Sequence, residues 1–547
     1  MQYNFDLGIS DQATFVDSTS RFTVGDLLEK RARTDSDAVA VRESDRELTY
    51  AELDARVNRL ANALLNRGYE PEESTFAILS ENRSEFVEVM YASAKLGCLI
   101  GAQNWRLERT ELVHCVETID PDVVFVSSQH ADKIEWMEDG DETDPEYVVF
   151  DDAPDEPEST VAYERLLESG ASSTPLPSRR IDPEQGYVVM YTSGTTGLPK
   201  GAVLSHRAEF ARAHQVILDY DLEKGDSYPS WAPMFHMGGI DWIVTTAVLG
   251  GTYYPIDGFD GERIVEVLQT AESPLSWLIL FPGMLERLLD RLESASTDPA
   301  DYQDIRSVGA LLDLMNAERL AHITEILDAP AQNTYGSTEV GHATSGNKVP
   351  PGVEPTGSRL DKAESPFIQV KLVDEDGSRV ERGESGELVV RGPTLCSGYL
   401  DNRDANRDEF EDGWFHTGDL VTWNQDGTYS YVNRRKYLIK SGGENIYPAE
   451  IETALLEHEL VDDAIVVRTP DEKWGEVPRA VVGADDPDAV SKTELLELVR
   501  EELANYKLPH YIQVVEPSEF PRSTTGKIVR ETVEEWPLSD EDRVRNV

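Results

Sequence analysis

The chain has 547 residues, 39% of them hydrophobic, and sets 104 Asp and Glu against 50 Lys and Arg for a formal net charge of −54. That length exceeds the ~250–300 residues at which one hydrophobic core stops growing, so several domains are expected. The charge excludes nucleic acid and anionic membranes as natural partners, and its self-repulsion would relax in concentrated salt, where the Debye length is ~3 Å at 1 M.

An acidic interaction tail would hold its acids in blocks poor in aromatics. Here they run through apolar-containing segments from end to end, beside nine Trp and 21 Tyr, which points to a folded enzyme of a salt-rich, halophilic cytoplasm. Cys98, Cys115 and Cys396 form no CxxC pair and cannot build a disulfide framework. Met1 to Ser10 lacks a basic and then apolar leader pattern. No uncharged apolar run reaches the ~20 residues of a membrane span. A soluble cytoplasmic protein is expected.

In chain order, Asp151 to Glu158 reads as an acidic loop, and Tyr187 to Tyr191 (YVVMY) as a buried strand. A Gly/Thr loop follows, then a short apolar run, Ala202 to Leu204. Asn316 can cap a helix with Leu320, Ile323 and Leu327 on its apolar face, stopped by Pro330. Ala331 to Tyr335 resembles another strand entering a loop. Repeated strand–loop–helix order argues for α/β architecture, with ligands at the carboxyl ends of parallel strands. After Pro350, Pro351 and Pro355, strand signals at Phe367 to Val373 and Gly386 to Val390 suggest a small β-rich subdomain. Near Asn433 the pattern changes again: Pro448 can open a helix, strands follow at Ala464 to Val467 and Ala480 to Val482, then a helix with Leu495, Leu496, Val499 and Leu503. This last stretch predicts a compact α+β unit.

The stretch Thr192 to Gly201 (TSGTTGLPKG) carries the strongest chemical signal. Small and hydroxylated residues after a strand let backbone N–H groups and hydroxyls wrap phosphate oxygens, and Lys200 adds a cation. It is not a Walker A loop, because Pro199 precedes Lys200 and Gly201 follows it. The run resembles the phosphate-binding signature of the adenylate-forming (AMP-binding) superfamily, of which acyl-CoA synthetases are members. Further motifs recur in that family's order: Tyr335-Gly-Ser-Thr-Glu339, Gly386-Glu-Leu, Thr417-Gly-Asp419, Arg434 to Gly443 and Pro521 to Lys527.

The resemblance implies a large N-terminal domain, 1–433, of two doubly wound sheet lobes and a small β-barrel-like subdomain. It also implies a small mobile α+β C-terminal domain, 434–547, with its hinge at Lys436. Thr192, Ser193, Gly194, Thr195, Thr196, Gly197 and Lys200 would hold phosphates. Gly309, Ala310, Tyr335 and Gly336 would border adenine, Asp419 would bind ribose, and Arg434 would make a second contact to the nucleotide. Thr338 would meet the α-phosphate, Glu339 would hold Mg²⁺, and Lys527 would reach the carboxylate and α-phosphate. His236, Met237, Gly238 and Val340 would line the acyl site, while Lys440, Gly442 and Gly443 would face the thiol substrate.

Alone, Glu339 would read as a surface acid, His236 as a core residue and Arg434, Arg435, Lys436 and Lys440 as a surface basic patch. Polyanionic ATP and coenzyme A give that patch a further purpose. In the loop Ser307-Val-Gly-Ala310-Leu-Leu-Asp313, Leu311, Leu312 and Asp313 depart from the family's usual residues. The implied activity is an acid–CoA ligase using ATP, Mg²⁺ and coenzyme A on a fatty or other apolar acid. The alternatives are a free-standing adenylation enzyme loading a carrier-protein thiol, and an ATP-binding protein with a decayed site. Asp241 leaves an amino-acid substrate open, since such substrates call for an Asp at the amine.

Overall fold

The computed structural model describes residues 21–138, 145–151, 160–192, 198–281, 284–294, 299–309, 311–441, 444–471, 473–523 and 526–544. The chain divides into two compact units. The first takes Met1–Ile217, Glu223–Gly258 and Pro393–Asn406, and the second takes Leu218–Leu222, Phe259–Gly392 and Arg407–Val547.

In the first unit a seven-stranded sheet runs in the order Val161–Ala162, Glu146–Val149, Val123–Val126, Thr75–Leu79, Leu99–Gln103, Gly186–Thr192, Lys200–Ser205. Every neighbouring pair is parallel except the last. Val123–Val126 is buried along its whole length, as an apolar strand covered on both faces must be. The expected YVVMY strand is the inner part of Gly186–Thr192, and its residues Tyr187 to Met190 are all buried. Its carboxyl end is Thr192, so the Gly/Thr loop leaves the sheet at the end where α/β folds place ligands. A smaller sheet joins Tyr228–Ser230, Tyr253–Pro255, Val39–Arg42 and Glu47–Thr49.

In the second unit the Asn316 side chain accepts the Arg319 N–H and starts the helix Ala317–Leu327 as expected. The helix ends at Asp328, which takes a left-handed φ of 46°, two residues before Pro330. A largely antiparallel sheet follows, in the order Thr334–Ser337, Gly341–Gly346, Lys362–Glu364, Tyr429–Arg434, Trp414–Trp423, Ser385–Arg391, Gln369–Val373. The last fifth builds a separate sheet from Glu444–Ile446, Ile439–Ser441, Gly475–Gly483 and Asp463–Asp471, with Tyr511–Val515 parallel to Gly475–Gly483. Pro448 opens the helix Pro448–Leu456 at its first turn. Ile451, Leu455, Leu495 and Val499 from its helices pack with Val466, Ala480 and Val482 from the strands. Leu503 falls at the cap of Lys492–Glu502 rather than inside it.

Candidate active site

Two neighbouring strands set the central pair. Asp419 on Trp414–Trp423 and Arg434 on Tyr429–Arg434 are opposite each other in the antiparallel ladder, and their side chains approach to 3.9 Å. From Thr334–Ser337, the Tyr335 hydroxyl donates to Asp419 Oδ2 at 2.6 Å, and its ring stacks on Tyr431 at 6.2 Å. Asp419 is only 7% exposed. Burial therefore raises its pKa, while Arg434, the Tyr335 hydroxyl and Lys527 pull it back and Glu339 adds to the rise. Arg434 answers in kind: loss of solvation is the largest single influence and lowers its pKa, but Asp419, Tyr335, Tyr431 and Glu339 together outweigh it, and the net shift is upward.

Lys527 joins this group from a loop 93 residues further on. It keeps a solvent-exposed face, yet loss of solvation draws its ammonium below the ordinary lysine value, opposed by Asp419 and reinforced by Arg434. Tyr335, Glu339, Asp419, Arg434 and Lys527 thus form one electrostatic cluster.

The turns around the cluster explain their glycines. A Cβ on Gly336 would lie 2.2 Å from the Gly341 carbonyl oxygen, so the YGSTE hairpin closes only with glycine there. Gly418 takes a φ of +70°, and its N–H donates to Glu387 at 3.2 Å. Glu387, the acid of the Gly-Glu-Leu motif, also lies 3.4 Å from His416 and 3.3 Å from Arg435. It braces the turn that presents Asp419, a role sequence reasoning missed although the motif was visible. Thr338 and Val340 are buried, and the buried Ser337 hydroxyl has no hydrogen-bond partner among the described residues.

Gly309 carries a φ of +86° and its carbonyl accepts the Trp277 indole N–H. Trp277, Tyr220 and His342 form a compact aromatic cluster, with Tyr220 stacked on Trp277 at 5.3 Å and edge-on to His342 at 5.6 Å. The unusual Asp313 is held by Lys362 and Asn333, each at 2.9 Å. Asn333 in turn accepts the Leu312 N–H at 3.1 Å. Asp313 is therefore a structural anchor of its loop.

Of the expected basic patch, Arg434 faces Asp419, Arg435 faces Glu387, and Lys436 pairs with Glu531 at 2.6 Å. Alternating ion pairs replace a bare cationic surface, and Lys440 remains exposed. Tyr437 shares Glu531 with Lys436.

The first unit presents its own share. Thr192 and Lys200 are cross-strand partners on either side of the Gly/Thr segment, and Lys200 Nζ sits 4.2 Å from the Tyr399 ring centroid. The Thr192 hydroxyl is buried with no hydrogen-bond partner among the described residues. His236 caps the helix Met237–Leu249, its Nδ1 accepting the Gly238 N–H at 3.4 Å. Gly239 must be glycine, since a Cβ would lie 2.6 Å from Met234 Cα. Asn82 organises this loop: its amide donates to the carbonyls of Ser230, Ala232 and Ile256, and its oxygen accepts the Met234 N–H. Nothing local in the sequence marked Asn82. Asp241 lies one turn into the helix, buried, 3.4 Å from Arg212, so it is turned to an internal guanidinium. The expected phosphate contacts Ser193, Gly194, Thr195, Thr196 and Gly197, with Ala310, Gly442 and Gly443, lie outside the described residues.

Residues 28–400 match the family described as AMP-binding enzyme, and residues 450–527 match the AMP-binding enzyme C-terminal domain. The chain belongs to the AMP-binding enzyme family. It is 33% identical over 511 residues to the indoleacetate–CoA ligase of Aromatoleum aromaticum, covering 93% of this chain and 97% of that one. It is 31% identical to a feruloyl-CoA synthase of Amycolatopsis, covering 92% and 96%. Its fold is similar to the o-succinylbenzoate–CoA synthetase of Bacillus subtilis in complex with its acyl-adenylate intermediate, with a TM-score of 0.78, 26% identity, and 94% and 99% of the two chains covered. The α/β adenylate-forming fold, with a large N-terminal and a small C-terminal domain, is thereby established. So is the enzyme class: an ATP-dependent, AMP-forming acid–CoA ligase that works with ATP, Mg²⁺ and coenzyme A. Among the described residues, no helix is long and apolar enough to cross a membrane.

Proposed function

We propose that this ligase activates a ring-bearing carboxylic acid, aryl or arylalkanoic, at the cluster of Tyr335, Asp419, Arg434 and Lys527, and passes the acyl group to coenzyme A. The observation that carries the site is the convergence of Lys527 on Asp419 and Arg434. A carboxylate is a poor acceptor for a thiol until it gains a leaving group. Its oxygen forms a bond to the α-phosphorus of ATP and pyrophosphate departs. The thiol sulfur then bonds to the acyl carbon and AMP departs.

Asp419, buried yet held anionic by Arg434 and Tyr335, suits a pair of ribose hydroxyls. Lys527 supplies a cation where charge accumulates in the first step. In the first unit the unpartnered Thr192 hydroxyl is a donor of the kind phosphate oxygens need, with Lys200 opposite it on the neighbouring strand; in the second, the Ser337 hydroxyl is another, with Thr338 next to it in sequence. Among the described residues, no three His, Cys, Asp or Glu converge as metal ligands. A Mg²⁺ ion that keeps phosphate oxygens and waters needs only one or two carboxylates, and Glu339 would be one. Gly309 and Gly336 would border the base, and Lys440 would meet coenzyme A.

The ring-bearing substrate is favoured over a fatty acid by two observations. The relatives are named for indoleacetate and ferulate. The Tyr220, Trp277 and His342 cluster reaches Gly309 through the Trp277 indole and lies two residues from Val340, which is read as an acyl-site residue. Asp241 pairs with Arg212 through Oδ2, while its Oδ1 is buried with no hydrogen-bond partner among the described residues. The 434–547 segment, with its own sheet and core, is read as the mobile domain turning at Lys436. The net charge of −54 is read as adaptation to a salt-rich cytoplasm.

Pyrophosphate release from the full chain in high salt, with indoleacetate, ferulate, benzoate and straight-chain acids, each with and without coenzyme A, tests the reading. Ring-bearing acids should give the highest kcat/KM, with turnover dependent on coenzyme A. A preference for long straight-chain acids would overturn the substrate class.

A further inference from the structure

Lys527 is delivered by a short loop whose anchorage is visible. Ser523 N–H donates to the Lys527 carbonyl at 2.7 Å and Val529 N–H to the Pro521 carbonyl at 2.7 Å, so both ends of the loop are closed on each other. Gly526 turns it with a φ of +81°. Arg522 donates from Nη1 to the Gly526 carbonyl at 3.0 Å and pairs through Nη2 with Asp463. The carbonyl next to Lys527 is therefore tied, through one guanidinium, to the first residue of the strand Asp463–Asp471.

The preceding residue, Asp462, points elsewhere. Its carboxylate pairs with Arg319, in the first turn of Ala317–Leu327, whose backbone N–H is the one capped by Asn316. Asp462 is 5% and Asp463 3% exposed at the side chain, against 26% and 23% for Arg319 and Arg522. Two adjacent buried carboxylates thus each hold one arginine. The Arg319 charge also reaches Asp463 itself, adding to the pull of Arg522. Arg319 belongs to the segment matched by the AMP-binding family and Asp462 to the C-terminal domain segment. The pairing therefore spans the two family segments inside one compact unit.

We propose that Arg319, Asp462, Asp463 and Arg522 form a positioning relay that sets Lys527 against Asp419 and Arg434 for acyl-AMP formation. None of the four touches the reacting atoms. The relay holds one arrangement of the C-terminal segment against Ala317–Leu327, and its contribution is to the acid-activating step alone. It rests on the role of Lys527 proposed above.

The test separates the half-reactions in the full-length enzyme: acid-dependent ATP–pyrophosphate exchange, and thioester formation from supplied acyl-AMP and coenzyme A. Arg319→Gln and Asp462→Asn should each lower kcat for exchange about tenfold, with KM for ATP within about twofold and the thioester step within about twofold of wild type. The charge-swapped pair, Arg319→Asp with Asp462→Arg, should recover most of the exchange lost in either single reversal. Unchanged exchange in both neutral variants would overturn the relay. So would equal loss of both half-reactions without recovery in the swapped pair, the signature of general destabilisation. Lys527→Ala serves as the reference. If it retains exchange, the role of Lys527 itself fails; if it loses exchange while Arg319→Gln does not, only the relay fails.

Discussion

Asp419 combines two demands that oppose each other. In the proposed site it must stay anionic to accept sugar hydroxyls, yet burial raises its pKa above the ordinary 3.8. A carboxyl raised on folding binds protons more readily in the folded state. Its contribution to stability is thus greatest at low pH and declines as pH climbs from 3.8 to the raised value. Activity should move the other way: kcat/KM for ATP should fall as pH drops through that raised value. Tyr335→Phe removes a hydrogen bond that holds the pKa down, so the acid limb of the pH profile should move to higher pH. An unmoved acid limb would separate Asp419 from nucleotide binding. On the alkaline side, Lys527 should lose its proton below the ordinary lysine value, because desolvation lowers its pKa. Lys527→Arg should move that limb upward.

At the scale of elements, the loop between the strand Tyr228–Ser230 and the helix Met237–Leu249 depends on one side chain from far away in sequence. Asn82→Ala would remove its bonds to the carbonyls of Ala232 and Ile256 and to the Met234 N–H, while the Ser230 carbonyl keeps the Ile256 N–H. With each unpaired buried group worth ~1–3 kcal/mol, partly recovered by rearrangement, a loss of about 2–4 kcal/mol is expected in urea unfolding. KM for the acid should rise as His236 loses its setting. Gly336→Ala should disrupt the YGSTE hairpin outright, because its Cβ meets backbone rather than a yielding side chain.

These cases also show what the sequence could disclose. The phosphate-loop strand, the Asn316 cap, the Pro448 helix start and the motif residues Tyr335, Asp419 and Lys527 were legible because their signals are local or recur in a fixed order. Asn82 bonds 148 residues away, Arg319 pairs with a residue 143 away, and Asp313 is fixed by Lys362 at a separation of 49. Each is an ordinary polar residue until the fold supplies its partner. The counter-charges of the basic cluster were hidden for the same reason, since Glu387 and Glu531, which pair with two of its members, lie far from it in sequence.

For the whole molecule, the net charge of −54 must be borne by a fold whose site attracts polyanions. Self-repulsion of this size weakens the compact state, and salt shortens the Debye length from ~10 Å at 0.1 M to ~3 Å at 1 M. Tm should therefore rise steadily with KCl up to molar concentrations, and KM for ATP should fall over the lower part of that range as repulsion of the nucleotide is screened. A Tm independent of salt would show that the acids are locally compensated.

The central claim is that acid and AMP are joined where Lys527 meets Asp419 and Arg434. Single-turnover formation of acyl-AMP from indoleacetate and ATP in molar KCl, by wild type and by Lys527→Ala, tests it most directly. The variant should form acyl-AMP at least about a hundredfold more slowly, near ~2.7 kcal/mol of lost transition-state stabilisation, while still converting supplied acyl-AMP to thioester. Acyl-AMP formation at the wild-type rate by the variant would contradict the assignment.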